Sequence, residues 1–160
     1  MKIETVKIIN FKKHLNVEVK FESGLNTIQG GNYSGKTTVT QATLWCLFGP
    51  SAVLGTAKEL ANSSLDAPPE VTVLLSDNYK VRRKGNNVSI YHNGAEISRS
   101  SSVVAIELEN LFGLTKEEFL LTQVSKQGEA QSLLAVRSDK IKKVVEIHYD
   151  SSVLDKVSKE

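Results

Sequence analysis

Residues Gly30-Gly31-Asn32-Tyr33-Ser34-Gly35-Lys36-Thr37 form the stretch whose types and spacing amount to a chemical device. They satisfy G-x-x-x-x-G-K-[ST] in full, and each position has a physical task. Gly30 and Gly35 let the backbone bend tightly enough for its N–H groups to point at a polyphosphate. A helix opening near Lys36 would add the positive end of its dipole at the same place. Lys36 would reach the β- and γ-phosphates as a mobile cation, and the Thr37 hydroxyl would ligate Mg²⁺. The expected ligand is therefore a triphosphate with Mg²⁺, gripped by residues 30 to 37 and by Thr38 beyond them. A glycine-rich strand-to-helix turn with an exposed lysine is the plainer alternative.

Hydrolysis needs an acid at the end of an apolar strand, to hold Mg²⁺ or activate water. The one candidate is Asp77, after Val71-Thr72-Val73-Leu74-Leu75-Ser76. Asp77-Asn78 is better read as a turn between two strands, because Asx side chains stabilise turns. The chain thus offers a phosphate cradle without a convincing catalytic acid, and that acid is expected on another polypeptide segment.

The elements that must position the loop follow from periodicity. Residues 3–9 and 17–21 alternate as strands, Ser23-Gly24 turns the chain, and residues 25–29 read as a third strand ending at Gly30. Residues 37–48 suit a helix buried on most sides and stopped by Gly49-Pro50. Residues 51–69 read mostly as loop. Residues 70–75, 79–84 and 88–91 read as strands, with Asn93-Gly94 as a hairpin turn. A helical period starts at Val103. Thr115 with Glu118 is a capping box for the next helix. Ser138-Asp139 opens another, and Asp150-Ser151-Ser152 one more that is still amphipathic at Glu160, so the natural element is expected to continue.

Composition bounds the class. The chain has 160 residues, with 20 Lys and Arg against 18 Asp and Glu, a net charge of +2. These are ordinary values for a folded domain, and disorder or a disulfide scaffold fits poorly. Cys46 is the only cysteine, so no internal disulfide forms and a reducing compartment is expected. No apolar run approaches the roughly 20 residues of a membrane span, and the N-terminus does not read as a signal peptide.

Several features together resemble one family. Asn10-Phe11-Lys12-Lys13-His14 follows the first strand, Gly24-Leu25-Asn26-Thr27-Ile28 leads into the loop, and Trp45-Cys46-Leu47-Phe48-Gly49 closes the helix. Gln127-Gly128-Glu129 and Ser132-Leu133-Leu134 follow later. The sequence is similar to the N-terminal half of an SMC-like DNA repair ATPase, of the SbcC or Rad-fifty group, whose phage members are recombination endonuclease subunits. The resemblance makes the expected triphosphate ATP and implies an α/β P-loop NTPase: the N-terminal lobe of an ABC-type ATPase head, with a mixed sheet, an antiparallel β subdomain and flanking helices. It implies a lobe over residues 1–149, with β-hairpins at 70–98 and a glutamine loop near 127, and the start of a coiled-coil helix at 150–160. Its own C-terminal ATPase lobe would supply the signature motif and catalytic acids, and a second head would complete a dimer. The further partners implied are an SbcD-like nuclease and double-stranded DNA, with no membrane, in the cytoplasm or nucleus (the host cytoplasm for a phage protein).

The resemblance also implies roles for residues. Gln127 would reach Mg²⁺ and the attacking water, which an amide can do without adding charge. Lys12 stands where the family usually has Arg near the phosphates; it keeps the charge but not the bidentate fork, and Lys12-Lys13 reads equally as a solvated basic turn. Asn62, Ser63 and Ser64 fall where the family's backbone passes the adenine. Tyr33 replaces a common glycine and is expected at the rim of the nucleotide pocket. Trp45 and Cys46 read as core, the three histidines as surface or packing, and Arg82-Arg83-Lys84 as a solvated strand end, with a DNA-facing role as the alternative. The functions weighed against an ATP-driven clamp are a self-contained P-loop kinase and a non-catalytic head-docking module.

Overall fold

The strict alternation of the first twenty residues builds a hairpin of β1 (Ile3–Phe11) and β2 (His14–Lys20), turned at Lys12 and Lys13. A computed structural model describes residues 1–124 of the chain except 54 and 65. Beyond β2 come α1 (Lys36–Phe48), a 3₁₀ turn (Pro50–Ala52) and a short α2 (Ala57–Leu60) with a Thr56–Glu59 capping box. Four strands then meander: β3 (Glu70–Leu75), β4 (Tyr79–Lys84), β5 (Asn87–His92) and β6 (Ala95–Ser98). Next is α3 (Ser101–Phe112). The chain divides into two compact units after Gly113, and α4 (Lys116–Thr122), with the expected Thr115–Glu118 capping box, belongs to the second.

The six strands form one sheet in the order β2-β1-β3-β4-β5-β6, with every described pairing antiparallel. Register is continuous through its middle, with shifts at Ile3/Thr5 and at Ile90/Tyr91. Val6 faces Val73, which faces Val81, which faces Ile90. All four are buried, as the period of two in side-chain direction requires once one face is covered. The cover is α1, packed on β1, β3 and β4, with α3 against β5. Trp45 of α1 meets Phe11 of β1 with ring centroids 5.4 Å apart. Burial of each such side chain contributes about 1.5–3 kcal/mol. Asp77 and Asn78 both take positive φ, 60° and 59°. This is the backbone of a tight hairpin turn, so Asp77 is a turn residue.

One expected element does not form. Residues 25–29 carry a strand pattern but pair with nothing among the described residues. Leu25 is 94% exposed. The Asn26 side chain ties back to Glu22 at both backbone groups, at 3.0 and 2.9 Å, closing the expected turn at Ser23-Gly24. A strand needs a neighbour to take up its N–H and C=O groups, and periodicity says nothing about whether one is at hand. The expected helices after Ser138 and Asp150, and the boundary at residue 150, lie outside the described residues.

Candidate nucleotide site

Gly35 is the N-cap of α1, at φ 96° and ψ 14°, and Lys36 is its first residue. The cap makes no side-chain hydrogen bond, so no side chain competes for the N–H groups at this end. Both Gly30 and Gly35 stand where a side chain would crowd a neighbour, and Gly35 also takes a positive φ. A Cβ at Gly30 would stand 2.7 Å from the Ser34 hydroxyl, and one at Gly35 would stand 2.7 Å from the His14 ring. Gly31 opens on empty space. The Lys36 ammonium is drawn back across the loop mouth, 2.7 Å from the Gly30 carbonyl and 2.6 Å from that of Gly31. A phosphate oxygen would add the attraction of a full negative charge to the bond an ammonium makes with a neutral carbonyl, so phosphate oxygens would displace these carbonyls. Asn32, Ser34 and Thr37 are exposed, whereas Thr38 is buried with its N–H on the Gly35 carbonyl at 3.0 Å. A cationic side chain, a helix N-terminus and an accessible hydroxyl make a donor set that fits a polyphosphate with a hydroxyl-ligated Mg²⁺.

Tyr33 takes φ 62°, a left-handed backbone that costs a non-glycine residue about 1–2 kcal/mol. The loop geometry thus demands a conformation for which glycine would be the easy choice. Its ring stands in solvent, with the Lys13 ammonium 6.0 Å from the centroid. Lys13 also donates to the Tyr33 carbonyl.

The β1–β2 turn and the loop after α2 converge on the same region. Lys12, at φ 49°, donates its backbone N–H to the Leu60 carbonyl at 2.7 Å, and its ammonium reaches Gln41 Oε1 of α1 at 2.6 Å. The Asn62 amide donates to the Lys12 carbonyl, and the Asn62 N–H to the Asn10 carbonyl at 3.2 Å. Asn62 Oδ1 accepts the Ser64 N–H at 2.8 Å, and Ser63 and Ser64 are exposed. Lys12, Gln41 and Asn62 are therefore one hydrogen-bonded group, with Asn62 and Ser63 on an open cleft of about 1190 Å³. Asn10 is itself buried. Its amide donates to the Ala67 carbonyl, and its Oδ1 has no partner among the described residues. Gln127 lies outside the described residues.

Sequence reasoning missed Gln41, which carries no motif, and gave Lys13, His14 and Arg83 lesser roles than they have. His14 is not mere packing: its Nε2 lies 3.1 Å from the Gly35 carbonyl. Arg83 is neither a solvated strand end nor DNA-facing. It occupies an inward position of β4, opposite Val71 on β3 and Val88 on β5, and is 7% exposed. Its Nε donates to the Cys46 carbonyl at 3.1 Å, and its guanidinium carbon is 5.8 Å from the Trp45 ring centroid. Strand parity held the signal, since Val81 points inward and Arg83 is two residues on. Burial lowers the Arg83 pKa from its ordinary value, and burial pushes the Cys46 thiol up to about 12. On the outer face Glu70 pairs with both Arg82 and Lys84, at 2.7 and 3.5 Å.

A sheet covered by the helix that follows a glycine-rich loop, with an antiparallel meander alongside, is the fold of the N-terminal lobe of an SMC-like ATPase head. Two of the solved structures that share it are SMC proteins. One, described as "Structural biochemistry of ATP-driven dimerization and DNA stimulated activation of SMC ATPases", matches with a TM-score of 0.66 at 18% identity, over 91% of this chain and 98% of that one. The other, described as "Crystal structure of the SmcHead bound to the C-winged helix domain of ScpA", gives 0.65 at 19% identity, over 86% of this chain and 47% of that one. The model of the AAA domain family matches residues 5–157, and the chain belongs to that family. It is 27% identical over 153 residues to the DNA double-strand break repair Rad50 ATPase of Methanocaldococcus jannaschii, covering 92% of this chain and 15% of that protein. Against the Saccharolobus solfataricus Rad50 ATPase it is 24% identical over 160 residues, covering 97% of this chain and 18% of that protein. The DNA replication and repair protein RecF of Clostridium acetobutylicum matches at 26% over 114 residues, 71% of this chain and 31% of that protein. The chain thus spans less than a third of the length of each of these curated relatives.

Proposed function

We propose that this chain is the ATP-binding half of an SMC-like DNA repair or recombination ATPase, an intracellular clamp whose heads engage on ATP and part after hydrolysis. The observation that carries this reading is Lys36, whose ammonium closes the mouth of the glycine-rich loop at the N-terminus of α1. Lys36 and the loop amides would bind the triphosphate, and Thr37, joined by Gln127, would hold Mg²⁺. Mg²⁺, when bound, would neutralise charge developing on the phosphoryl group. This chain's own part is to position the phosphates and hold a cation beside them, which is where phosphoryl-transfer catalysis mostly lies.

Completion by another segment is supported from two sides. Asp77, the one sequence candidate for a catalytic acid, is a turn residue, and residues 25–29 present a strand pattern with no partner among the described residues. The partners in this reading are the protein's own C-terminal ATPase lobe, a second head, an SbcD-like nuclease and double-stranded DNA. The DNA repair names of the relatives support the last of these. No described helix is long and apolar enough to cross a membrane. A self-contained kinase would need a parallel sheet of alternating strands and helices, and the described pairings are all antiparallel.

Titration calorimetry with Mg-ATP tests the reading on the wild-type chain and on Lys36→Ala. Binding should be measurable in the first and reduced at least tenfold in the second, as the loss of a charge-assisted contact of about 1.5–3 kcal/mol requires. Equal affinities would refute the assignment of Lys36. Turnover of ATP by this chain alone at about 1 s⁻¹, within the ordinary enzyme range, would refute the split site.

A further inference from the structure

We infer that His14 is a positioning residue for the glycine-rich loop: its imidazole holds the Gly35 carbonyl and so fixes the peptide plane that presents the Lys36 N–H. The inference rests on the reading that this loop binds a nucleoside triphosphate, and it adds a residue that the loop pattern does not contain.

Gly35 sits at φ 96° and ψ 14° with no side chain to restrict it. Glycine has the freest backbone of any residue, so the plane joining Gly35 to Lys36 needs restraint from outside. Two donors supply it. The Thr38 N–H reaches the Gly35 carbonyl at 3.0 Å from within α1, and His14 Nε2 lies 3.1 Å from the same oxygen. A carbonyl only accepts, so Nε2 must carry the proton. The carbonyl's two lone pairs are then both engaged, and rotation of the plane breaks both bonds.

His14 is well placed to impose this restraint. It is the first residue of β2 and pairs with Phe11 across the turn. Phe11 is fully buried against Trp45, further along the helix that Gly35 caps. The donor and the carbonyl it holds are therefore fixed to the same sheet-and-helix frame. The ring also fills the space that a side chain at 35 would need, with Cε1 and Nε2 each 2.7 Å from a Cβ built there. Lys13 on the Tyr33 carbonyl and Lys12 on Gln41 make the β1–β2 turn a three-point grip on loop and helix. His14 holds the point next to Lys36.

The test separates a donor from a filler. His14→Leu keeps much of the volume and loses the N–H, whereas His14→Gln places an amide N–H near the position of Nε2. Mg-ATP affinity is measured by calorimetry on the full 160-residue chain, and amide exchange at residues 36–38 by NMR without nucleotide. His14→Leu should bind roughly fivefold more weakly, the usual worth of one hydrogen bond, and exchange faster at 36–38. His14→Gln should return both to near wild type. Wild-type behaviour of His14→Leu in both measurements, or a His14→Gln as impaired as His14→Leu, would overturn the inference. Absence of binding by the wild-type chain would instead count against the nucleotide reading, and the exchange rates, which need no ligand, would still decide the role of His14.

Discussion

Arg83 should stabilise this lobe through one hydrogen bond that the helix cannot make for itself. The carbonyl of Cys46 would normally accept from the backbone of the residue four positions on. That residue is Pro50, which has no N–H. Cys46 is fully buried, so water cannot substitute, and the Arg83 Nε at 3.1 Å supplies the missing donor. The guanidinium also lies at the C-terminal end of α1, where a cation is favoured by the helix dipole. Arg83→Met keeps an apolar stem of similar reach and leaves the carbonyl orphaned, at about 1–3 kcal/mol. Removing a buried charge offsets part of that loss, and a net cost of about 1–2 kcal/mol is expected. Arg83→Ala loses two further methylenes, about 0.8 kcal/mol each, and should cost about 3 kcal/mol. Trp45 is the only tryptophan and is fully buried within reach of Arg83. Its fluorescence therefore reports urea unfolding directly. An Arg83→Met variant as stable as wild type would refute the argument, because the carbonyl would then need no partner.

Gly35→Ala should abolish Mg-ATP binding in calorimetry while leaving the sheet's unfolding midpoint within a few degrees, since φ 96° and the His14 ring both exclude a Cβ at that point; retained affinity would show that the cradle tolerates a different backbone. Cys46 should resist iodoacetamide in the folded chain at pH 8 and react once urea unfolds it, because the thiol is buried and its pKa is pushed up to about 12. The same shift makes stability pH-dependent on the alkaline side. Folded Cys46 keeps its proton while the unfolded thiol loses it near 9, so this contribution is flat below pH 9 and declines from there towards 12; urea midpoints that hold constant from pH 8 to 11 would contradict it. Leu25→Asp should change the stability of the chain by less than about 0.5 kcal/mol, as expected for an exposed position; a larger loss would mean that residues 25–29 already pack within this lobe.

The elements legible in the sequence were those whose signal is local. Alternation in residues 3–9, 17–21, 70–75, 79–84 and 88–91 reports that one face is covered, and Asp77-Asn78 and Asn93-Gly94 mark hairpin turns through their tolerance of positive φ. The edge strand β6, with no buried residue, gave no such signal. The glycine-rich loop was legible because its signal is a contiguous pattern of residue types, and the Gly30–Ser34 approach is made within a few residues. Its brace was not, because His14 and Gly35 meet only after β1 and β2 have folded back past α1, and one histidine looks like any other until then. Arg83 failed for a related reason. A run of Arg, Arg and Lys reads as a charged surface by composition, while strand parity assigns the middle one to the core. Composition prevailed because the acceptor it needs, a helix carbonyl left open by Pro50, is 37 residues away in sequence.

Residues 25–29 show the same divide from the other side. Their pattern reports a strand, yet Leu25 is almost wholly in solvent and the segment pairs with none of the described strands. Propensity measures how well a segment fits a pleated, half-buried surface; it cannot state which chain provides that surface. Apolar side chains at 25 and 28, strand-like residues between them, and the entrance to the glycine-rich loop directly after are together a reason for the partner strand to come from elsewhere. Pairing there would fix the loop from its N-terminal side, as α1 fixes it from the other. Occupancy of that edge would then set how well Gly30 and Gly31 are held for a triphosphate. Nucleotide affinity measured with and without the complementary segment is the quantity in which this coupling would appear.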